Sequence, residues 1–381
     1  MKFDPLPFQS TLYRYEAQAR ELLDARDAGD ADAIRIFHQN HPRFLDEKIV
    51  WLPKRIPDSE IANAKLDLSD AQLALSRLYN FRDWASLVQY VNAVLNDPEV
   101  ARFESAVEAV INGDAAGLKQ LLRDHPQLVR ARSSRVLNFD PPMHRATLLH
   151  YVAANGVEGY RQKTPDNAVE IAKILLQAGA EPDALANMYG GECTTMSMLV
   201  SSSHPAKKGV QVALAETLID FGAAVGPRGS GNWASPVNTA LVFGFVDAAE
   251  ALVRRGARVD QIETAAGLGR ADDVRRMLSS SGSLSRHRAL ALASQLGREE
   301  AVRVLLDAGE DPNRFNPDGM HAHATPLHQA ALGGHEAVVR LLVERGARLD
   351  IEDQIFQGTP LGWAEYGGQA AIAGYLRAAA G

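Results

Sequence analysis

Five residues stand two places before a threonine or serine that could open a helix: Arg145, Glu192, Trp233, His323 and Gln357. Along this row lie a cation, an anion, a flat apolar face and a titratable ring, a mixture that suits specific recognition. Taken singly, each reads as a solvated polar loop tip; taken as a row, they read as a binding surface. Irregular polar sequence concentrates in 133–235, where stretches of this length are uncommon unless functional or disordered. There VEGYRQKTPDN adds Tyr160 and Arg161 as binding candidates, and SSSHPAKKGVQ adds His204, Lys207 and Lys208. NMYGGECTTM carries Tyr189, Glu192 and Cys193, and RSSRVLNFDPPMHR carries Asn138, Asp140 and His144. Were the chain a catalyst, His144, Glu192 and His204 would be the acid–base groups, with Tyr189 and Arg145 orienting a substrate.

Other chemistry is poorly provided for. His321, His323 and His328 form HxHxxxxH, but only Asp318 offers a nearby carboxylate, so no metal site is assigned. Cys193 follows an acid rather than a cation, which fits a buried small residue better than a reactive thiol. No Walker loop, dinucleotide fingerprint, nucleophile elbow or HExxH is present. No cofactor is expected. The glycine-rich GPRGSGNW at 226–233 precedes a strand-like segment rather than a helix start, and reads as a flexible loop.

These residues hang on a repeating scaffold. AVEIAKILLQAGAEPD, VALAETLIDFGAAV, DAAEALVRRGARVD and EAVVRLLVERGARLD each keep aliphatic residues at helical spacing and stop at Gly179, Gly222, Gly256 or Gly346. Upstream recurs Thr147-Leu-Leu-His150, Thr325-Pro-Leu-His328 and Thr359-Pro-Leu-Gly362, with a weaker Ser235-Pro-Val-Asn238. Threonine or serine is a good N-cap, and proline suits the first turn.

The pattern resembles the ankyrin repeat, whose signature is TPLHxA at a period near 33 residues. Thr325 to Gly346 matches it most closely. The resemblance covers most of 101–381 and implies an all-α ankyrin-repeat solenoid, with beta-hairpin-like fingers and first helices lining a concave groove. In that family His150 and His328 would be structural. Glycine spacings of 26 and 27 residues around Gly282 mark two repeats without fingers at about 260–312. The wall of fingers should therefore have a notch between Trp233 and His323. Small residues Ala265, Ala266, Gly267, Ala291, Ala293 and Ser294 would either admit a partner there or only let helices pack tightly. The main binding surface is expected on the N-terminal side of the notch, with the inserts at 157–167 and 202–211 projecting from one rim.

Residues 1–100 form a separate N-terminal helical region. Gly29-Asp30 and His41-Pro42 recur 84 residues later as Gly113-Asp114 and His125-Pro126, so 12–45 reads as a degenerate capping repeat. The inserted LSDAQLALSRLYNFRDWASL looks like a helical pair that accompanies bacterial ankyrin arrays. Ser69 should cap its first helix, and a second should start near Asp83.

The chain has 381 residues, 46% apolar and 23% charged, which excludes general disorder. A net charge of −7 does not favour nucleic acid or an anionic membrane. No apolar run is long enough for a membrane helix, and the N-terminus does not read as a secretory signal, so a cytoplasmic protein is expected. Two functions remain open. One is a bacterial interaction protein that binds a partner protein in the concave groove. The other is a small-molecule binder or cofactor-free acid–base enzyme sited in 133–235.

Overall fold

The computed structural model describes residues 3–138 and 142–380, so Asp140 lies outside the described residues. The chain is built from stacked helix pairs, as the resemblance implies, and packs into two compact units. The first is 1–223 with 229–231, and the second is 224–228 with 232–381. This packing boundary falls much later than the boundary near 100 expected from the sequence. No helix among the described residues is long and apolar enough to cross a membrane.

Side chains at the helix starts punctuate the first unit. Asp30 accepts the backbone N–H groups of Asp32 and Ala33 to start Ala31–Asn40. Asp83 and Asp97 cap Trp84–Asn96 and Pro98–Asn112 in the same way. A carboxylate there satisfies orphan donors and faces the positive end of the helix dipole. Asp67, not Ser69, caps Leu68–Leu78. Asp70 completes a reciprocal box by accepting the Asp67 N–H, while Ser69 lies inside the helix as its second residue and donates to Asp67.

The degenerate repeat and the inserted pair share one core. Leu22, Phe37, Leu75 and Phe81 are each 1% exposed or less, and burial contributes about 1.5–3 kcal/mol apiece. Arg26 donates to the carbonyls of Ile61, Ala62 and Ala64, satisfying the end of Asp58–Ala62. The inserted pair is also stitched to the next repeats. Phe81 and Leu137 form an antiparallel bridge, Asn138 N–H donates to the Asn80 carbonyl, and Gly159 N–H donates to Asn80 Oδ1 at 2.7 Å.

Among the described residues of this unit one regular finger is formed. Strand β1 (Ala186–Met188) pairs antiparallel with β2 (Gly191–Cys193). The connecting Tyr189 and Gly190 both have positive φ, +52° and +76°. Two successive left-handed residues make the turn whose twist suits a hairpin, and glycine takes the second without strain. Ser230 borders the finger: its N–H donates to the Glu192 carbonyl, and its hydroxyl accepts the Glu192 N–H. Residues 229–231 are thus held along this finger.

The second unit has five helix pairs among its described residues. The pairs Ile262–Gly267 with Ala271–Met277, and Ser283–Gln295 with Glu299–Asp307, follow one another without a finger. Where the finger is missing, the inner helix Ser283–Gln295 extends to 13 residues. Ala265, Ala266, Ala293 and Ser294 are completely buried. A Cβ on Gly267 would come 2.9 Å from the Leu292 side chain and 3.0 Å from that of Leu241. These small residues let neighbouring helices approach, and they do not present a docking face.

Nor is the expected notch open. The long finger 313–324 packs on Ser283–Gln295, a helix that lacks its own finger. The His287 imidazole bonds the Phe315 carbonyl at 2.9 Å, and Arg288 reaches the Asp318 carbonyl. Gly319 of the finger lies against Asn232. Losing two fingers is thus offset by lengthening the next one. Ala293→Arg would put a charge into the core, so it reports on folding rather than on a free surface.

Candidate functional site

The row divides between the units. Arg145, Glu192 and Tyr189 belong to the first and are exposed. Arg145 has φ +54° and Gln357 has φ +55°, so at these two positions of the row the backbone is left-handed, whereas Glu192 lies in strand β2. In the second unit Trp233 is half-buried against Phe243, with ring centroids 5.2 Å apart. His323 is half-buried against Trp363 at 5.7 Å and Phe356 at 5.8 Å, and burial lowers its pKa. Gln357 is exposed.

His144 and Arg161 do not face solvent, which corrects the expectation that the first insert projects from a rim. His144 is 2% exposed, Glu158 0% and Arg161 1%, and Tyr160 is half-buried. They belong to a buried ionic cluster. Glu158 Oε1 lies 3.1 Å from Arg135 Nη1 and 3.3 Å from His144 Nε2. Arg161 contacts Glu104 at 2.6 Å and Glu108 at 3.2 Å. Tyr90 donates to Glu104, and Arg135 donates to the Tyr160 hydroxyl while its guanidinium lies over the Phe81 and Tyr90 rings. His144 Nδ1 accepts the Ala146 N–H, so Nε2 carries the proton given to Glu158. Burial raises the Glu158 carboxyl, but Arg135, His144 and Arg161 outweigh that and hold it well below the ordinary range. The insert folds inward because two guanidinium groups and two fully buried carboxylates answer each other there.

Sequence reasoning missed Arg135, Glu104 and Glu158. Glu104 left a signal: it lies on the same helical stripe as the buried Val107 and Ile111. A charge on an apolar stripe announces a buried partner. Arg135 and Glu158 lie in irregular segments and left none.

The remaining acid–base candidates stand apart. His204 is exposed on the short helix Ser203–Lys207, and Tyr189 donates its hydroxyl to Asn155 at 2.7 Å. Among the described residues no hydrogen bond or ion pair joins His144, Glu192 and His204 to one another. The second insert is ordered: Gln211 donates to the Leu199 and Ser202 carbonyls, and Lys208 pairs with Asp166. Cys193 is fully buried, and burial pushes its thiol up to about 11. We expect no modification of folded protein by iodoacetamide at pH 8, and full modification in denaturant, read by mass spectrometry. Labelling of native protein at the rate of a free thiol would contradict this burial.

A cleft of about 690 Å³ opens in the first unit, wholly within its own residues. The capping repeat and following loop supply Gln39, Asn40, Leu45, Val50 and Trp51, and the inserted pair supplies Arg77 and Asn80. The repeats contribute Asn138, Gly156, Asn187, Met188, Tyr189 and Gly190. Val50, Trp51 and Tyr189 are 71%, 66% and 56% exposed, unusual for such side chains. A Cβ on Gly156 would meet Met188 Sδ at 2.3 Å, so glycine is what lets the finger close this wall. Of the sequence candidates, only Tyr189 and Asn138 line this cleft.

The fold and the finger-flanked cleft define a class, and the comparisons agree. The family profile described as "Ankyrin repeats (many copies)" matches residues 287–343. Human cyclin-dependent kinase inhibitor 2A is 35% identical over 127 residues, which is 32% of this chain and 78% of that protein. Bovine cyclin-dependent kinase 4 inhibitor B is 34% identical over 121 residues, covering 24% of this chain and 92% of that one. This chain belongs to the ankyrin-repeat family. The crystal structure of the human ASB11 ankyrin repeat domain aligns with a TM-score of 0.38 at 20% identity, covering 72% of this chain and 97% of that one.

Proposed function

We propose that this chain is a non-catalytic, cytoplasmic interaction protein that takes a peptide segment of a partner protein into the cleft of its first unit. The observation that carries this reading is the group of exposed Val50, Trp51 and Tyr189 around an amide-lined cleft. Aromatic anchors beside a recess are the usual centre of a protein interface. Two relatives bear the names of kinase inhibitors, proteins that act on another protein, and this supports the class of function but not that partner. Of the row, Glu192 flanks the same finger and Arg145 serves as a secondary contact, while Trp233, His323 and Gln357 belong to the second unit and are not part of this site.

A second reading keeps the cleft and changes the ligand, since about 690 Å³ also falls in the range of small-molecule sites. Its enzymatic form is weak, because His144 is sealed into the ionic cluster. The test is selection of random synthetic peptides on the immobilised chain, followed by hydrogen exchange with those retained. Protection at 46–52 and 186–193 is expected, and Trp51→Ala or Tyr189→Ala should each weaken binding about 30-fold, the hot-spot scale. Failure to retain any peptide, or protection confined to the outer helices Glu299–Asp307 and Glu336–Glu344, would remove this reading.

A further inference from the structure

Among the described residues the cleft wall carries one formal charge. Of those that line it Arg77 alone is ionised, and no described aspartate or glutamate is among them. Arg77 is half-buried in Leu68–Leu78, and its Nε is shut off from solvent with no hydrogen-bond partner among the described residues. The carboxylate that acts on it most is Asp83, which already caps the next helix by accepting the Ser86 N–H and hydroxyl, and also meets Arg82. Burial lowers the Arg77 pKa, and Asp83 only partly restores it. The more deeply buried arginines of this unit each have an answer. Arg26 has three carbonyls, Arg135 has Glu158 and Arg161 has Glu104.

Around Arg77 stand five carboxamides: Gln39, Asn40, Asn80, Asn138 and Asn187. Three are half engaged. Asn40 and Asn187 give their N–H groups to the Ile36 and Met143 carbonyls, and Asn80 Oδ1 takes the Gly159 N–H. That holds each side chain in place and leaves its other end for a ligand. Gln39 and Asn138 have no side-chain partner among the described residues. A carboxamide presents a donor and an acceptor together, which is what each peptide unit needs.

Resting on the peptide-binding reading, we propose that this cleft selects an extended peptide by a carboxylate. Arg77 takes the carboxylate, the carboxamides take the backbone beside it, and Trp51 and Tyr189 cover its apolar side chains. A guanidinium and a carboxylate form paired charge-assisted hydrogen bonds, about twice as strong as neutral ones. The net charge of −7 opposes an anion at long range, so this selectivity is a local matter of Arg77. The carboxylate could be the free C-terminus of the partner or an aspartate or glutamate side chain within it.

Four synthetic octapeptide libraries separate these sources: C-terminal acid or C-terminal amide, each with or without Asp and Glu in the mixture. They are bound to the intact chain and the retained peptides are sequenced. Retention is expected wherever a carboxylate is present and should fall about tenfold in the amide library lacking Asp and Glu. Loss on amidation alone assigns the C-terminus, and loss on omitting the acidic residues alone assigns a side chain. In Arg77→Gln the four libraries should bind equally. The comparison among libraries is made on the unaltered chain, so it stands even if that variant fails to fold. Equal retention of all four, with protection still at 46–52 and 186–193, would overturn carboxylate selection and leave the interaction reading intact. No retention of any library would instead overturn the interaction reading.

Discussion

Arg161→Ala is expected to destabilise the first unit by about 3–5 kcal/mol, the usual cost of stripping one partner from a buried ion pair. The guanidinium is 1% exposed, and among the described residues its removal leaves Glu104, 2% exposed, with the Tyr90 hydroxyl as its hydrogen-bond donor. Truncating a buried arginine also removes packing against Tyr160, over which the guanidinium lies at 5.5 Å. Pairing Arg161→Met with Glu104→Met separates the two effects. The double variant removes both charges and should regain much of the loss, because a buried pair replaced by apolar groups is often neutral. Urea unfolding, with hydrogen exchange of Trp84–Asn96 and Pro98–Asn112 as the local readout, measures this. A loss under about 1 kcal/mol for the single variant would mean that water reaches Glu104.

The second large effect is acid lability. Burial lowers the pKa of seven imidazoles: His41, His150, His287, His321, His323, His328 and His335. His150 falls to about 4. Its Nδ1 accepts the Thr147 N–H at 3.2 Å and its Nε2 lies 3.4 Å from the Cys193 carbonyl, so the neutral ring caps its helix. A second proton would abolish the acceptor. In the unfolded chain these rings titrate near 6.5. Their contribution is therefore complete above pH 6.5 and is lost progressively as pH falls toward the folded values, because the unfolded chain binds more protons. His150 alone accounts for about 2 kcal/mol by pH 5, at roughly 1.4 kcal/mol per pH unit. Glu158 acts in a lower window. Its depressed pKa sustains stability above the ordinary carboxylate range, and that share is lost only below it. The urea midpoint should fall steadily from pH 7 to pH 5, before any carboxylate contributes. A midpoint unchanged over that interval would show that these rings are hydrated.

The two predictions rest on different levels of information. That His150 and His328 cap helices follows from Thr147 and Thr325 three residues earlier, because capping is a contact within one turn. The glycine stops and aliphatic stripes were legible for the same reason: left-handed turns and helical faces are set by nearest neighbours. The pairing of Gly29-Asp30 with Gly113-Asp114 likewise anticipated two helix pairs, Leu12–Asp27 with Ala31–Asn40 and Pro98–Asn112 with Ala115–Asp124. Arg161 and His144 were read as surface groups because polar irregular sequence usually is surface. Their burial depends on Glu104 and Glu158, and no periodicity links an insert to the helix more than fifty residues upstream. The finger near 260–312 has the same origin, since its length was visible and its direction was decided by His287 and Arg288. The cleft brings together residues from Gln39 to Gly190. Sequence by itself determined the helix pairs, their caps and the kind of solenoid they build, because those are local hydrogen bonds and local amphipathic faces. Which charges are buried, where the long finger lies and what lines the cleft were decided only in the tertiary structure, where partners distant along the chain settle the cost of desolvating each group.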